Sequence, residues 1–379
     1  MEDMVKVLII EPRKQHLEVL YPQVKFLQEG DCKVYVAVSS ETYNLDLIKF
    51  LEDDITFIVR EKEHLLFFMK KLKKIIQKEG IDLVVMNTLE GSLDLYLYNL
   101  FLRNIKTVRV IHNLDFLFEN NYSNPLKNYL VKRIMTKVNS KVDYNLVLNK
   151  EIYSTARKLN VKNIDYFYPV FFRDFLEEEG ITTVKINKSS PVKIGVQGGV
   201  YFNRRNYSSL IEGLNGLNIP IKQKVRIYII GNIATDDGEK LRKIIRANGL
   251  DNNFVYFNKY LNYKDYFKLI SEMDFLMPLI DRQVGSFSKY NNFKITSTEM
   301  MALAFKKPLI NSSDFKLPDR YNSVVISYPG SVVSEGFEKA VNLSNIEYKN
   351  MVDYYNDFEE RDFRKQQERY LKVINKILD

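Results

Sequence analysis

The sequence has 379 residues, of which 45% are hydrophobic and 27% charged; this excludes a disordered or fibrous chain and predicts two or three domains of ~150 residues each. The single cysteine, Cys32, excludes an intrachain disulfide framework and indicates a reducing compartment. A net charge of +8 suits an acidic substrate, an anionic membrane or a nucleic acid. The sequence has no apolar run near the ~20 residues that a membrane span needs, and its acidic N-terminus is unlike a signal peptide. We therefore expect a cytoplasmic protein.

Short apolar strands alternate with amphipathic helices through the first part of the chain. We expect strands at residues 5–10, 33–38, 55–59, 82–86, 107–111 and 144–148. We expect helices at residues 16–28, 64–77, 93–102 and 126–138. The strands are continuous runs of Val, Ile and Leu, which indicates burial on both faces. The alternation therefore predicts a parallel sheet with right-handed crossovers.

The alternation pauses at residues 172–190, whose polar composition is typical of a linker, and then resumes. Further strands are expected at residues 192–196, 225–230, 254–257, 274–279 and 308–310. Further helices are expected at residues 207–214, 237–248, 263–271, 298–305 and, as one long charged helix, 353–378. The predicted fold class is α/β. Its predicted parts are a domain over residues 1–172, a linker over 173–190, a second domain over 191–352 and a C-terminal helix over 353–379.

Several motifs of nucleotide and metal enzymes are missing from the sequence. It has no G-x-G pair, which disfavours an ordinary NAD dehydrogenase, and no G-x-x-x-x-G-K-[ST], which excludes a P-loop kinase or GTPase. Asp-x-Asp, a common metal-binding pair, is absent, and three histidines with one cysteine offer no zinc spacing. No G-x-S-x-G elbow is present. Phosphate chemistry would therefore use basic side chains, helix N-termini and backbone amides, with no metal or other cofactor.

A turn with paired glycines joins the first strand of the second domain to its first helix. Gly198 and Gly199 permit a tight turn and close backbone approach, and Arg204 and Arg205 follow before the helix. A guanidinium at this place could bind a diphosphate through two parallel hydrogen bonds. An ordinary turn with two surface arginines is the alternative.

The next strand of the second domain also ends in a glycine, Gly231, followed by Asn232. Ligands of open α/β sheets bind at the carboxyl ends of the strands, so these residues are candidates for a binding site. A simple turn glycine is the alternative interpretation.

The richest segment is a polar loop that leads into the helix predicted at residues 298–305. Lys294 and the unpaired amides at the start of this helix would attract a phosphate. Glu299 could accept both hydroxyl protons of a ribose. Thr296 stands three positions before Glu299, and this spacing also predicts a capping box that would tie Glu299 to the backbone. The polar residues of the first turn are Ser297, Thr298 and Glu299.

Two histidines of the first domain follow predicted strands. His112 comes directly after the strand at residues 107–111, and His16 stands at the entry to the first helix. Both would lie at the same sheet edge, where His112 could act on an acceptor or on the leaving group. A structural role for His112 and simple surface exposure for His16 are the alternatives.

Taken together, these segments resemble the GT-B glycosyltransferases, most closely the large retaining family that includes sucrose synthases, mannosyltransferases and capsule glycosyltransferases. The matching motifs occur in the same order over nearly the whole chain, at residues 110–113, 198–206, 228–232, 299–302 and 307–310. The resemblance implies two Rossmann-like domains facing across a cleft. It places the donor nucleotide sugar on the second domain and the acceptor on the first, with the final helix crossing back to the first domain.

The resemblance also implies roles for individual residues. Arg205 or Arg204 would contact the diphosphate, Glu299 the ribose, and the loop with Tyr256 and Tyr260 the base. The predicted catalytic residues are His112, Asn291 and Lys294. The predicted donor-binding residues are Gly198, Gly199, Arg204, Arg205, Gly231, Asn232, Tyr256, Tyr260, Ser297, Thr298 and Glu299. The predicted acceptor-side residues are His16 and Asn113.

The function implied is transfer of a sugar from a nucleoside-diphosphate sugar to a hydroxyl of a glycan or lipid-linked acceptor, in surface polysaccharide or glycoconjugate synthesis. The implied reaction needs no metal and retains the configuration at the anomeric carbon. The family pairs two glutamates eight positions apart, whereas Asn291 stands eight positions before Glu299. This difference keeps a second hypothesis open. In it the chain is a non-catalytic GT-B-fold protein that binds a nucleotide or a glycan and supports a partner transferase.

Two stretches are rich in basic residues. Residues 60–78 include seven basic and two acidic residues, and residues 103–162 include twelve basic and four acidic residues. Because they contain no recognised nucleic-acid-reading motif, we expect no nucleic-acid partner. The helix at residues 65–76, with Leu65, Phe67 and Ile76 among its apolar residues, could lie peripherally on the inner face of a membrane. Packing of these residues onto the sheet is the alternative.

Overall fold

The computed structural model describes residues 4–14, 16–52, 55–88, 101–102, 104–118 and 124–379. Its contacts divide the chain into two compact units. The first unit consists of Met1–Phe171 and Asp362–Asp379, and the second of Phe172–Arg361. Within the described ranges, no helix is long and apolar enough to cross a lipid bilayer.

The first unit is built on a parallel sheet with the strand order β3-β2-β1-β4-β5-β6-β7. Its strands are β1 (Lys6–Glu11), β2 (Lys33–Ser39), β3 (Thr56–Arg60), β4 (Leu83–Met86), β5 (Lys106–Ile111), β6 (Tyr144–Val147) and β7 (Ile164–Tyr166). The strands form where the sequence has continuous Val, Ile and Leu runs. Four consecutive residues of β1, Val7 to Ile10, have no exposed surface, so both faces of the sheet are covered.

Helices connect these strands. Among the described residues they are α1 (Leu17–Gln28), α2 (Ser40–Tyr43), α3 (Asp46–Lys49), α4 (Leu65–Glu79), α5 (Pro125–Asn139) and α6 (Lys150–Lys158), and the last helix of the chain, α16 (Phe363–Leu378), belongs to the same unit. α16 packs on α1, where the rings of Phe363 and Tyr370 lie 5.1 and 5.8 Å from the ring of Phe26. Of the helix predicted at residues 93–102, residues 93–100 lie outside the described residues.

The second unit contains another parallel sheet, with the strand order β10-β9-β8-β11-β12-β13. Its strands are β8 (Val192–Gln197), β9 (Val225–Asn232), β10 (Phe254–Phe257), β11 (Phe275–Leu276), β12 (Leu309–Ser312) and β13 (Val325–Tyr328). Its helices are α7 (Arg173–Glu178), α8 (Tyr207–Asn215), α9 (Ile219–Lys222), α10 (Asp236–Ala247), α11 (Tyr263–Glu272), α12 (Phe287–Asn292), α13 (Ser297–Phe305), α14 (Val333–Asn342) and α15 (Asn345–Tyr354).

Both sheets are doubly wound. In each unit the first strand lies in the interior, the second and third continue to one side, and the fourth begins the other side. The order of connection therefore reverses between β1 and β4 in the first unit and between β8 and β11 in the second. Loops separate at such a point and leave a crevice at the carboxyl ends of the strands, which is where Rossmann-like units bind ligands.

The prediction of one long helix over residues 353–378 is wrong. α15 ends at Tyr354, two short 3₁₀ turns follow, and α16 begins at Phe363. The Asp362 side chain accepts a hydrogen bond from the backbone N–H of Lys365 and caps the new helix. Since the sequence has neither glycine nor proline here, its charged and apolar pattern runs through the break without a stop signal.

Other elements differ from prediction in length or were not predicted. The strand expected at residues 274–279 is confined to β11. Residues 173–190, predicted as a linker, begin with α7 and group with the second unit. Nine further elements of the described residues have no counterpart in the sequence prediction; they are α2, α3, α6, β7, α9, α12, β13, α14 and α15.

Candidate functional site

At the carboxyl edge of the second sheet, two strand ends lie in direct contact. Gly198 follows β8 with a backbone φ of 100°, a conformation that favours glycine. A Cβ atom at Gly231, near the end of β9, would collide with the carbonyl oxygen of Gly198. The glycines at these two predicted positions therefore allow the strand ends to approach, and Gly199 continues the turn.

The two predicted arginines have different environments. Arg205 is buried, with 6% of its surface exposed, and its Nη2 donates a hydrogen bond to the Gln197 carbonyl oxygen at the end of β8. Its Nε has no hydrogen-bond partner among the described residues. Arg204 is exposed, and its guanidinium lies 4.8 Å from the centre of the Tyr201 ring. Only Arg205 thus lies against the glycine turn.

Buried polar groups surround Arg205, and the sequence analysis did not identify them. The Gln197 side chain is 1% exposed, and neither its Oε1 nor its Nε2 has a partner among the described residues. Burial raises the pKa of Tyr207 to about 12, against the opposing charge of Arg205. Asn206 caps α8 and donates from Nδ2 to the buried carboxylate of Asp281, over 2.7 Å. No sequence signal distinguishes these residues from ordinary strand and loop residues.

Helix α13 begins at the same edge, because it returns the chain to β12 and so runs opposite to the strands. Its capping box is present: Thr296 Oγ1 accepts from Glu299 N–H over 3.0 Å, and Glu299 Oε2 accepts from the Thr296 backbone N–H over 3.0 Å. Thr298 is fully buried, and its Oγ1 has no partner in the described part of the chain. α13 also packs against β8. Ser297 is half-buried in the first turn.

The loop before α13 holds the two predicted catalytic residues of this unit. Asn291 Oδ1 accepts a hydrogen bond from the backbone N–H of Lys316 over 3.3 Å. Lys294 is half-buried, with its ammonium 5.9 Å from the centre of the Tyr290 ring. Asn291 therefore helps to fix the neighbouring loop, whereas Lys294 adds a positive charge two residues before the helix cap.

The residues predicted for the base lie farther along the sheet. Tyr256 is half-buried on β10, the edge strand, and its ring centre lies 5.2 Å from the Arg242 guanidinium. Tyr260 is 64% exposed. Asn232, at the end of β9, accepts a hydrogen bond from the Ala234 backbone N–H over 2.9 Å and so shapes its own turn.

At the carboxyl edge of the first sheet, the structure brings His16 and His112 together. Their ring centres are 4.5 Å apart. His16 has a left-handed backbone conformation, with φ 68°, just before α1, and its Nδ1 lies 3.5 Å from Glu18 Oε1. His112 is buried after β5. Asn113 is 9% exposed, and its Oδ1 has no partner among the described residues.

A buried carboxylate at this edge was missed by the sequence analysis. Glu11 ends β1 with no exposed surface and accepts hydrogen bonds from the Arg13 backbone N–H, Asn87 Nδ2 and Thr88 Oγ1. Burial raises its pKa to about 7, and the hydrogen bonds and the nearby His16 only partly oppose this rise. Glu11 is thus a carboxyl group that titrates near neutral pH at the topological switch point.

Hydrogen bonds connect Glu11 to the last helix. Gln23 donates from Nε2 to Asn87 Oδ1 over 2.9 Å, and the Tyr370 hydroxyl of α16 donates to Gln23 Oε1 over 3.0 Å. All four side chains from Tyr370 through Gln23 and Asn87 to Glu11 are fully buried. This chain fixes the orientation of the carboxylate.

No group of three or more His, Cys, Asp or Glu side chains arranged to hold a metal ion occurs among the described residues. The polar groups at the two edges are suited to hydrogen bonding. Those of the second sheet combine a guanidinium, an amide and a helix N-terminus, which together suit an anionic ligand with hydroxyl groups.

No model of a known protein family matches this sequence, and no curated protein does. Solved structures match over nearly their whole length. Anabaena HepE in complex with UDP and glucose is 12% identical, with a TM-score of 0.68 over 98% of this chain and 100% of that one. A glycosyltransferase from Rickettsia africae is 14% identical, with a TM-score of 0.64 over 98% of this chain and 99% of that one. A UDP-N-acetylglucosamine 2-epimerase is 10% identical, with a TM-score of 0.57 over 100% of this chain and 96% of that one.

These likenesses establish the fold. The chain has the two Rossmann-like units of GT-B proteins, as the sequence resemblance predicted. At 10–14% identity they do not extend to activity. An activity must therefore be inferred from the residues at the two sheet edges.

Proposed function

We propose that this protein transfers a sugar from a nucleoside-diphosphate sugar to a hydroxyl group of a glycan or lipid-linked acceptor. The observation that carries the proposal is the set of buried polar groups at the carboxyl edge of the second sheet: the Gln197 amide, Arg205 Nε and Thr298 Oγ1 lack partners among the described residues. Leaving such a group unpaired costs about 1–3 kcal/mol. A ligand rich in hydroxyl and phosphate oxygens would satisfy them.

In the proposed reaction, the bond between the anomeric carbon and the diphosphate oxygen breaks, and its electron pair stays on the diphosphate. A new bond forms between the anomeric carbon and the acceptor oxygen, whose hydroxyl proton passes to the departing diphosphate oxygen. Arg205, Lys294 and the first amides of α13 would stabilise the charge that develops on the diphosphate, without a metal ion. We also propose that the configuration at the anomeric carbon is retained, because the sequence resembles the retaining family of GT-B glycosyltransferases.

The remaining predicted residues keep their proposed roles. On the donor side, Glu299 would bind the ribose and Tyr256 the base. On the first unit, His112 would act at the reacting centre, with His16 and Asn113 on the acceptor side. HepE has been solved with UDP-glucose, which makes UDP and its sugars the first ligands to examine.

A second candidate function is nucleotide or glycan binding in support of a partner transferase. Asn291, where the family has glutamate, favours it. Asn291 Oδ1 already accepts a backbone hydrogen bond from Lys316, and a neutral amide cannot supply a carboxylate's charge.

A thermal-shift screen with UDP, GDP, ADP, CMP and their sugars, followed by product analysis in EDTA, tests these alternatives. A bound ligand raises the apparent stability as its concentration exceeds its dissociation constant. Glycosylated acceptor formed in EDTA supports the proposal. Loss of all activity in EDTA contradicts its metal-free part, an epimerised nucleotide sugar contradicts sugar transfer, and binding without any turnover favours the second candidate.

A further inference from the structure

Two helices of the first unit expose large apolar side chains on the same face of their sheet. Leu66 and Phe67 of α4 are 39% and 67% exposed. Leu126, Tyr129 and Leu130 of α5 are 67%, 61% and 49% exposed. The opposite sides of both helices pack into one core, which contains Met69 and Leu72 of α4 together with Val131 and Met135 of α5. The exposed residues therefore point away from the sheet.

Basic residues follow these apolar residues along each helix. α4 continues with exposed Lys70, Lys71, Lys73 and Lys74. α5 continues with exposed Lys132, Arg133 and Lys137. The only acidic residue within the two helices is Glu79, at the end of α4, where it accepts a hydrogen bond from the Tyr35 hydroxyl. We call the exposed apolar and basic residues of α4 and α5 the apolar–basic face.

The topology orients the apolar–basic face relative to the candidate site. Both helices return the chain to the start of a parallel strand, so their first turns lie toward the carboxyl edge of the sheet. The exposed apolar residues lie in the first two turns of the helices, and the basic residues of each helix follow them toward its C-terminus. The apolar groups are therefore near the edge that holds His16 and His112.

We propose that the apolar–basic face binds the surface of an anionic lipid bilayer. Phe67, Leu126 and Leu130 would enter the boundary between head groups and acyl chains, and the lysines would contact anionic head groups. The charge favours this occupant: a second copy of the chain would bring the same positive face into contact with itself. The sequence predicted a membrane contact from the α4 region alone, and α5 adds a second helix of the same character.

This inference does not rest on the proposed function, because membrane binding is measured without turnover. If both hold, the membrane lies beside the carboxyl edge of the first sheet, within reach of an acceptor anchored in it. A lipid-linked acceptor would then be favoured over a soluble glycan.

Flotation of the full chain with vesicles tests the proposal. We expect binding to equimolar phosphatidylglycerol and phosphatidylcholine, weaker binding to phosphatidylcholine alone, and a decrease at high salt because surface charges are screened. Lys70→Gln with Lys74→Gln should lower the partition coefficient about fivefold for each charge removed. Lys243→Gln with Lys268→Gln, at exposed positions of the second unit, should leave it unchanged.

Phe67→Ser with Leu126→Ser should lower the partition coefficient by at least about tenfold. The matched control is Ile219→Ser with Ile346→Ser, at residues of the second unit that are 69% and 75% exposed. Circular dichroism and melting temperature confirm that each variant folds. No flotation with the anionic vesicles, or equal loss in test and control variants, overturns the proposal. A dimer in sedimentation experiments that Phe67→Ser with Leu126→Ser dissociates also overturns it, because a second copy would then cover this face.

Discussion

The rings of His16 and His112 lie tilted against each other with centres 4.5 Å apart, although the two residues follow strands that are not neighbours in the sheet. His16 comes after β1 and His112 after β5, and β4 lies between these strands. The two rings therefore close over the carboxyl end of β4. There Asn87 and Thr88 donate hydrogen bonds to Glu11. The predicted acceptor-side histidines and the buried carboxylate thus form one local structure.

The titration of Glu11 should be visible in the stability of the protein. Its pKa rises from 4.5 to about 7 on folding, so the folded state binds more protons than the unfolded state between these values. The free energy of unfolding should therefore fall as pH rises through this window, by about 3 kcal/mol in total. Glu11→Gln removes this contribution. Urea unfolding from about pH 4 to pH 8 measures the difference between the two proteins.

Glu41→Gln provides the control for this experiment. Glu41 lies in the same unit, but its side chain is 78% exposed and forms an ion pair with an exposed lysine, Lys14. Its replacement should leave the pH dependence of unfolding as in the wild type. A difference between wild type and Glu11→Gln that stays constant with pH would show that folding leaves the pKa of Glu11 unshifted.

The site residues at the two sheet edges differ in how well they could be predicted from the sequence. The turn at Gly198 was predictable because glycine itself marks a backbone that must bend or approach another strand. Glu11 was not, because in the sequence it is one acid after an apolar run. Its burial depends on Asn87, which is 76 positions away in the chain. The sequence likewise could not distinguish Arg205 from Arg204, since only folding places one inside and one outside.

Arg205→Lys should weaken binding of a nucleoside diphosphate about tenfold or more. Lysine retains the charge but cannot donate to the Gln197 carbonyl oxygen and to a phosphate with the same planar geometry. Arg204→Lys is the matched variant, and because Arg204 is exposed it should change the affinity little. Calorimetric titration of both variants measures the effect. Equal losses in the two would remove Arg205 from its proposed place at the diphosphate.

Glu299→Gln should separate ribose binding from helix capping. Glutamine can replace glutamate in a capping box, so the stability of α13 should change little. If Glu299 also binds the ribose, the variant should lose much of the preference for a ribonucleoside diphosphate over its 2′-deoxy analogue. Titration with both ligands measures that preference.

Thr296→Ala is the opposite control. It removes the hydroxyl that accepts a hydrogen bond from Glu299 N–H, and loss of such a cap costs about 1 kcal/mol. It should lower the melting temperature but leave the ribose preference unchanged. An unchanged preference in Glu299→Gln would assign this glutamate to the cap alone.

Most of the fold could be predicted because buried parallel strands are apolar throughout. β1 and β8 were predicted to within one residue at each end for this reason. β7 was missed because it has three residues, Ile164–Tyr166, with an aspartate in the middle, so it lacks an apolar run. The break before α16 was missed because side-chain contacts cause it. There the Tyr355 and Phe358 rings stack at 5.1 Å, and Tyr355 donates to the Lys307 carbonyl oxygen.

Lys307 should make the stability of the second unit depend on pH in the opposite sense to Glu11. Its side chain is fully buried just before β12 and donates to the Ser271 carbonyl oxygen over 2.6 Å. Burial, together with the charge of Lys185, lowers its pKa to about 7, although Asp274 opposes the change. The unfolded chain therefore binds the extra proton between about pH 7 and pH 10.5, and stability should rise with pH in this window.

Lys307→Met should abolish that rise, because it removes the titrating group and retains an apolar stem of similar length. Between about pH 7 and pH 9 the wild type should gain about 2 kcal/mol relative to the variant, at about 1.4 kcal/mol per pKa unit. Lys268→Met replaces an exposed lysine of α11 and should leave the slope as it is. Urea unfolding at several pH values measures all three proteins. Parallel curves for wild type and Lys307→Met would mean that Lys307 keeps its proton in the folded state, with its charge balanced by Asp274.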